Sequence, residues 1–182
     1  MLGPTLDVER LRLEAPRPEH LSGFVCWFAD PEVTRYLLRR HPPSLRQEEA
    51  WFERMAASET DVVWAVLVKQ VGVVGVTGLH RIDWRSRHGW IEISLGDRSQ
   101  WGKGYATEAV RAVTGYAFGE LGLEKVLASV YSGNDASLRI LEKVGYRQAG
   151  LLCRHVFFGG AWHDEWLGEI FREEWKAPVS PS

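Results

Sequence analysis

The sequence predicts an α/β protein (α+β in its mixed sheet), and three observations support this fold class. Segments with the alternating or continuous apolar pattern of strands are interleaved with segments whose apolar residues recur every three to four positions, as in helices. The length of 182 residues suits one compact domain. The apolar fraction of 45% and the charged fraction of 25% are typical of a globular chain. Seven strands and four or five helices are therefore expected.

The amino-terminal part predicts a strand followed by helices. Residues 8–15 alternate between polar and apolar side chains, which indicates a strand. Residues 20–28 predict a short helix. Asp30 is placed to cap a second helix, with Pro31 at its first helical position.

The middle of the chain predicts a third helix and then mainly strands. Ser44 and Gln47 have the spacing of a capping box, and the helix that they begin is expected to end near Ala57. The next segments predict three strands, a loop that turns into a long helix, and a further strand, at residues 62–69, 73–83, 90–95, 102–119 and 123–131.

The carboxy-terminal part predicts a helix and a hairpin. Residues 135–144 have the helical pattern, and Gly145 suits the left-handed residue that ends a helix. Two strands follow, joined by a turn at two consecutive glycines, at residues 147–158 and 162–171.

Charge and composition exclude several classes of protein. The net charge is −2 and the isoelectric point is about 6.3, so the chain lacks the basic excess that draws proteins to nucleic acid or anionic lipid. The longest mainly apolar stretch, residues 62–68, is far shorter than the ~20 residues of a membrane-spanning helix. Cys26 and Cys153 have neither a metal-binding nor a disulfide spacing. A cytoplasmic protein without a metal site is expected.

The segment Trp101–Ala109 carries the first chemical signal. It reads Trp-Gly-Lys-Gly-Tyr-Ala-Thr-Glu-Ala and lies between a predicted strand and a predicted helix. Two glycines there let the backbone approach an anion closely, and the helix amino terminus behind them adds partial positive charge. Such a loop can hold a diphosphate with main-chain N–H groups. Taken alone it could be a tight turn, and it matches neither the Walker A loop nor the dinucleotide fingerprint.

The segment Asn134–Tyr146 carries the second signal. It reads Asn-Asp-Ala-Ser-Leu-Arg-Ile-Leu-Glu-Lys-Val-Gly-Tyr. Together the two segments resemble the GNAT acetyltransferases, and more narrowly the branch with RimJ/RimL-like ribosomal-protein acetyltransferases and spermidine acetyltransferases. The resemblance extends from Arg10 to Trp175, and the turn at residues 159–164 is also typical of that branch.

The resemblance implies a splayed, mixed sheet of seven strands. A single domain, residues 1–182, is expected from the length, with residues 176–182 as a flexible tail. The diphosphate of acetyl-CoA would lie on the glycine loop, and its pantetheine arm would lie between the splayed strands. Trp101 stands where many relatives have Arg or Gln, a change that main-chain contacts would tolerate. The residues expected to bind the cofactor are Ile93, Ser94, Leu95, Trp101, Gly102, Lys103, Gly104, Tyr105, Ala106, Thr107, Asn134 and Ser137.

The resemblance also implies catalytic roles. Many relatives protonate the leaving sulfur with a Tyr seven residues after the Asn, but this chain has Leu141 there. The ribosomal-protein branch has a Ser three residues after the Asn, and this position is Ser137. Ser137 is therefore the candidate donor of a hydrogen bond to the sulfur. The alternative is an ordinary Ser in the first turn of a helix.

Glu92 is the candidate general base, because its predicted strand is apolar and burial would raise its pKa. Relatives often have a Glu one or two residues earlier, so a strand bulge would decide whether the positions match. The alternative is a carboxylate in a structural hydrogen bond. His80, Asp83, His88 and a bound water are further candidates.

The acceptor amine would enter between the amino-terminal helices and the last hairpin. Its expected lining residues are Trp27, Tyr36, Trp84, Trp162 and Asp164, each of which could instead be ordinary packing. Arg35, Arg39 and Arg40 could guide an acidic group on the acceptor, or form a solvated helix face.

These inferences predict an N-acetyltransferase that moves the acetyl group of acetyl-CoA directly to a primary amine in a ternary complex. The acceptor could be a protein N-terminal amine or a small molecule. A GNAT-like module that binds acyl-CoA without turnover is the alternative, favoured only by Leu141, and a nucleic-acid-associated module is disfavoured by the charge. Dimers are common in the branch, so a homodimer is also considered.

Overall fold

The computed structural model describes residues 1–39 and 41–176 and organises them around one eight-stranded mixed sheet. The strands are β1 (Leu6–Asp7), β2 (Leu11–Glu14), β3 (Val62–Val68), β4 (Gly72–Asp83), β5 (His88–Leu95), β6 (Lys125–Tyr131), β7 (Arg147–Phe158) and β8 (Ala161–Phe171). The helices are α1 (Leu21–Phe28), α2 (Pro31–Thr34), α3 (Leu45–Ala57), α4 (Tyr105–Gly119) and α5 (Asp135–Val144). The α/β fold class is confirmed. The predicted tail lies, except for Lys176, outside the described residues.

The sheet opens in its middle. Its strand order is β1-β2-β3-β4-β5-β6-β8-β7, and β5 and β6 run parallel while the other neighbours are antiparallel. Only His88–Trp90 pair with Lys125–Leu127 in the described chain, and beyond these residues β5 and β6 are not paired. The remainder of the two strands therefore encloses a gap at the centre of the sheet, which is the predicted splay.

The strand boundaries differ from the prediction in several places, and β6 begins at Lys125, two residues later than predicted. Residues 8–10 form a turn instead of extending the strand, because Val8 N–H donates to Leu11 O at 3.0 Å and closes a hairpin between β1 and β2. The two-residue β1 is the eighth strand. Strand β5 begins two residues early, at His88, because these residues pair with β6.

The predicted helix ends are confirmed. Asp30 Oδ1 accepts from Glu32 N at 2.9 Å and caps α2. Ser44 and Gln47 form the reciprocal capping box of α3. Gly145 ends α5 with φ +113°, in the left-handed region that favours glycine.

Helices cover both faces of the sheet. On one face, α4 buries Ala109, Val110, Val113 and Ala117 in the main core, which also contains Trp64 of β3. On the other face, α1, α2 and the α3 side chains Trp51 and Phe52 form a second apolar cluster, whose buried members are Leu21, Phe24, Phe28 and Val33. In the described ranges, no helix is long and apolar enough to cross a bilayer.

Candidate active site

The glycine loop before α4 has the shape of an anion cradle. Gly102 and Gly104 have φ values of +73° and +88°, which side-chain-bearing residues rarely adopt. A side chain at Gly102 would point into open space. The first hydrogen bond of α4 joins Glu108 N to Gly104 O, so the N–H groups of residues 105–107 have no partner within the helix. These amides are available to a negatively charged ligand at the positive end of the helix dipole.

Arg10 supports this loop from the β1–β2 hairpin. Its Nε donates to Glu108 Oε1 at 2.6 Å, and its guanidinium lies 4.8 Å from the centre of the Tyr105 ring. The pair joins residues 98 positions apart in the sequence. No local pattern could have identified Arg10, since only the folded sheet brings it to the loop.

Trp101 and Lys103 are held within the loop itself. Trp101 N donates to Arg98 O at 3.1 Å, and Trp101 Nε1 donates to Leu95 O at 2.8 Å. Lys103 Nζ donates to Gln100 Oε1 at 3.1 Å. The Trp101 amide is thus already used, so a contact between Trp101 and a ligand would involve its ring. Its ring lines the neighbouring groove.

The gap between β5 and β6 forms a long groove, called here the inter-strand groove. Two adjoining cavities of about 540 and 480 Å³ make it up. Its walls come from β5, β6, the start of α5 and the glycine loop, and they include Ile93, Val130, Asn134, Ser137, Gly102 and Ala106. The groove joins the glycine loop to the centre of the sheet. Burial raises the pKa of Tyr131, which also lines it.

In the described chain, the main-chain N–H and C=O groups of Ile93 face the groove and have no partner on β6. Thr77 Oγ1 donates to Glu92 O at 2.7 Å, and Gly96 N donates to Val74 O at 2.9 Å, so the even-numbered residues of this stretch face β4. In an extended strand the alternate residues face the opposite side, which is the gap. The main-chain N–H and C=O of Ser94 therefore face β4, so its expected contact with the cofactor would involve its side chain. Leu95 O already accepts from Trp101.

Asn134, Ser137 and Tyr36 meet at the middle of the groove. Asn134 Oδ1 accepts from Ser137 N at 3.2 Å and caps α5, which leaves the Asn134 amide nitrogen and Ser137 Oγ for other partners. Tyr36 OH donates to Gly133 O at 2.7 Å beside them. Leu141 also lines this groove, and its apolar side chain is buried.

Glu92 is not buried. Its side chain is 64% exposed, because β5 directs Ile91 and Ile93 toward α4 and directs Glu92 to the opposite face. The pairing of β4 with β5 is regular from Gly75 to His80, so no bulge occurs beside Glu92. Its Oε2 lies 3.6 Å from His80 Nε2. The predicted burial of Glu92 is therefore wrong.

Of the other candidate bases, His80 lies at the groove, and Asp83 and His88 do not. His80 Nδ1 is 3.0 Å from Asp61 Oδ1, and His80 lines the groove beside Glu92. Asp83 instead accepts hydrogen bonds from Ser86 in the β4–β5 turn, where it pairs with His88. No pattern in the sequence around Asp61 indicated that it would contact His80.

A second cavity, called here the inner cavity, lies on the α1–α3 face of the sheet. Its volume is about 180 Å³, and its apolar walls are Phe24, Phe28, Leu37, Trp51, Val63 and Val76. Arg39 Nη1 and the 3%-exposed Glu48 Oε1, 3.2 Å apart, also line it. Burial raises the pKa of the Glu48 carboxyl, and Arg39 opposes that rise. The sequence had not singled out Glu48.

The expected acceptor-lining residues are dispersed. Tyr36 lines the inter-strand groove, and Asp164 lies near Asn134 while its Oδ1 accepts from Arg154 N at 2.7 Å. The three tryptophans lie elsewhere. Trp27 packs on Phe24 and Gly96. Trp84 donates to Glu59 O at the surface, and Trp162 contacts Phe157 on the last hairpin.

Two of the three predicted arginines line a further, open cavity. Arg35 and Arg39 border it on one side, opposite Phe158 and His163 of the last hairpin. Arg40 lies outside the described residues. Among the residues that the structure describes, no group of three or more His, Cys, Asp and Glu is arranged to hold a metal ion.

The fold and the groove agree with a known family. A family model described as the acetyltransferase (GNAT) domain matches residues 10–147. The chain therefore belongs to the GNAT acetyltransferase family, whose members use acetyl-CoA. This confirms the resemblance at the level of the family.

Similar proteins occur in Bacillus subtilis (strain 168). The uncharacterized N-acetyltransferase YoaA is 27% identical over 165 residues, which cover 88% of this chain and 93% of YoaA. The uncharacterized protein YkkB is 48% identical over 146 residues, which cover 77% of this chain and 83% of YkkB.

Solved structures share the fold. A GNAT-family acetyltransferase from Bacillus anthracis superposes with a TM-score of 0.82 at 22% identity, covering 93% of this chain and 99% of that one. Spermidine N-acetyltransferase from Vibrio cholerae, in complex with CoA and spermine, gives 0.85 at 20% identity, covering 91% and 97%. At such identities the similarity establishes the fold.

Proposed function

We propose that the chain transfers the acetyl group of acetyl-CoA directly to a primary amine in a ternary complex. One observation carries this proposal: the inter-strand groove connects an anion-binding loop with the hydrogen-bonding groups of Ile93, Asn134 and Ser137. The anion-binding loop can hold a diphosphate, and the hydrogen-bonding groups can pair with an amide-containing arm.

The described residues fit acetyl-CoA. The left-handed Gly104 and the open side of Gly102 leave room for a diphosphate, where side chains would intrude. The proposed binding residues are Ile93, Gly102, Lys103, Gly104, Tyr105, Ala106, Thr107 and Asn134, with Ser94, Leu95 and Trp101 shaping the groove by their side chains. Acetyl-CoA supplies a thioester whose thiolate is a good leaving group.

Two side chains are proposed to act at the reacting atoms. Ser137 Oγ donates a hydrogen bond to the sulfur, since the α5 cap uses only its main-chain N–H and Leu141 cannot donate. Glu92 supplies negative charge where the amine loses its proton, beside His80. Positioning of the two substrates in one groove supplies much of the remaining rate.

The acceptor class is proposed only broadly at this point. A Bacillus subtilis relative, YdaF, is named a putative ribosomal N-acetyltransferase, and the Vibrio cholerae enzyme was solved with spermine. These names support a protein N-terminal amine or a small amine, and membership of the RimJ/RimL-like branch. We further propose one GNAT domain over residues 1–182, a cytoplasmic location and no nucleic-acid or membrane partner; a homodimer is a further candidate.

The test is acetyl-CoA-dependent release of free thiol over a panel of amines and N-terminal peptides. Turnover of at least one class supports the proposal and names that class. Tight CoA binding without turnover of any amine would favour the silent acyl-CoA-binding module instead. A microcalorimetric measurement of CoA binding on the same preparation separates that outcome from an inactive protein.

Ser137→Ala is expected to lower kcat by about 10- to 100-fold, the value of one hydrogen bond to a developing charge. Its thermal midpoint is expected to stay unchanged, because the Asn134 cap needs only the main-chain N–H of residue 137. Ser132→Ala, whose residue lies just before α5, is the matched control. A kcat equal to that of the wild type would remove Ser137 from the mechanism.

A further inference from the structure

The inter-strand groove and the inner cavity meet at one place. Leu37, His80, Glu92 and Ser94 line both of them. Leu37 is apolar and the Ser94 hydroxyl is not a base near neutral pH, so His80 and Glu92 are the residues of this set that can take up a proton there. A base that deprotonates an amine for attack on a thioester has to stand between the two substrates.

His80 is oriented by Asp61. The Asp61 carboxylate accepts hydrogen bonds from Ser58 Oγ at 2.6 Å, Thr60 Oγ1 at 3.3 Å and Arg81 N at 3.2 Å. It also contacts His80 Nδ1. Partial burial opposes ionisation of Asp61, but the hydrogen bonds from Ser58, His80 and Arg81 outweigh it and lower the pKa of that carboxyl. An ionised carboxylate only accepts, so Nδ1 carries the proton and the neutral ring has its lone pair on Nε2.

The backbone of β4 is deformed where it places His80. Between His80 and Asp83 the strand has one residue more than β5, and Arg81 has φ +51°. Such bulges often re-aim a side chain beside an active site, and a left-handed Arg is a strained conformation. A side chain on Gly78 would come within 2.8 Å of His80 Nε2, so glycine there makes room for the ring.

Carboxylates flank both ring nitrogens. Asp61 contacts Nδ1, and Glu92 Oε2 lies 3.6 Å from Nε2, so a protonated imidazole would have an acceptor on each side. The nearby positive groups are Arg81 on the same strand and the Met1 ammonium, which donates to Asp61 O at 2.6 Å. Arg39 and Glu48 also line the inner cavity, and they form an ion pair with each other.

We propose that His80, positioned by Asp61, is the general base of the transfer, and that the inner cavity binds the body of a small apolar amine. The proposal rests on the acetyl transfer proposed above. The acceptor ammonium gives one proton to His80 Nε2, and its freed electron pair forms the new bond to the acetyl carbon. The C–S bond breaks with its electron pair on the sulfur, and the nitrogen loses its second proton. Of the two protons released, one ends on the sulfur and one passes from His80 to solvent, so that amide, CoA thiol and one proton result.

The walls define the chemical class of the acceptor. Phe24, Phe28 and Trp51 provide aromatic surface. Of the two carboxylates among the described lining residues, Glu48 already pairs with Arg39, and Glu92 lies beside His80, where the reacting amine would be. A polyamine would bury further positive charge there without partners, which is costly. The volume of about 180 Å³ is below the ~300 Å³ of drug-sized sites. An arylalkylamine fits this description.

The first experiment compares His80→Gln and Asp61→Asn with His155→Gln, whose residue lies on β7 away from both cavities. With 2-phenylethylamine, His80→Gln is expected to lower kcat at least ~100-fold and to remove the acidic limb of its pH profile. Asp61→Asn, a positioning variant, is expected to lower kcat ~10-fold. CoA affinity should be unchanged in all three. Wild-type kcat and pH profile in His80→Gln would overturn the proposal.

Two measurements keep the test independent of folding and of turnover. Added imidazole should restore activity to His80→Ala, which a merely misfolded variant would not show. Addition of 2-phenylethylamine to the wild-type protein without acetyl-CoA should shift the NMR signals of the His80 ring, whereas spermidine should not. If no amine is turned over, the proposed function fails. If amines are turned over but 2-phenylethylamine neither reacts nor shifts His80, the inference alone fails.

Discussion

Replacing Trp64 with alanine is expected to lower the free energy of unfolding by about 3–5 kcal/mol. Trp64 is fully buried in β3, where its ring packs against Tyr116 with centres 5.2 Å apart. Its Nε1 donates to Pro4 O at 2.8 Å, and Gly3 lies directly against the indole. Alanine would leave a large cavity and a carbonyl without its donor, and the structure around it can relax only partly.

Urea unfolding followed by circular dichroism measures this effect. Trp84→Ala is the matched control, because Trp84 is 45% exposed and its indole donates to Glu59 O at the surface. The control is expected to change stability by less than about 1 kcal/mol. Equal unfolding midpoints for the two variants would show that the β3 core does not depend on Trp64.

Gly104→Ala is expected to raise the Kd for CoA by about 10- to 100-fold, which corresponds to about 1.4–2.8 kcal/mol. Residue 104 has φ +88°, where a side chain costs about 1–2 kcal/mol. The new Cβ would also approach Arg10 Nη2 to 3.1 Å. The loop can relieve this strain by turning its peptide groups, which would redirect the N–H groups away from the diphosphate.

Isothermal titration with CoA provides the measurement, and Gly119→Ala is the control. Gly119 lies in the last turn of α4, and an added Cβ there would meet no atom within 4 Å. Its CoA affinity is expected to stay at the wild-type value, and its helix should gain slightly in stability. Unchanged CoA affinity in Gly104→Ala would contradict the assignment of this loop as the diphosphate site.

The parts of the site that could be predicted are local in sequence. The glycine loop and the Asn134 cap each occupy a few consecutive residues, whose conformations depend on left-handed glycine, helix capping and the helix dipole. These effects act within one turn of chain. The same reason explains why the caps at Asp30 and Ser44 were predicted correctly.

The parts that could not be predicted depend on strand register. Asp61, His80 and Glu92 come from three places along the chain, and they meet because β4 pairs with β5 in one register and bulges at Arg81. A shift of one residue would reverse which side chains face the inner cavity. The burial of Glu92 was predicted wrongly for this reason, since the sequence of a mainly apolar strand does not reveal on which face of the sheet its one charged side chain lies.

By itself the sequence determined the fold class, the order of the helices and of every strand except β1, and the two motifs at the inter-strand groove, because each follows from short-range periodicity and backbone preferences. Only the tertiary structure decided where the strands separate, that Arg10 supports the loop, and that Asp61 orients His80. These contacts join residues 19 to 98 positions apart. Their free energy comes from packing and pairing of distant segments, which no local pattern in the chain encodes.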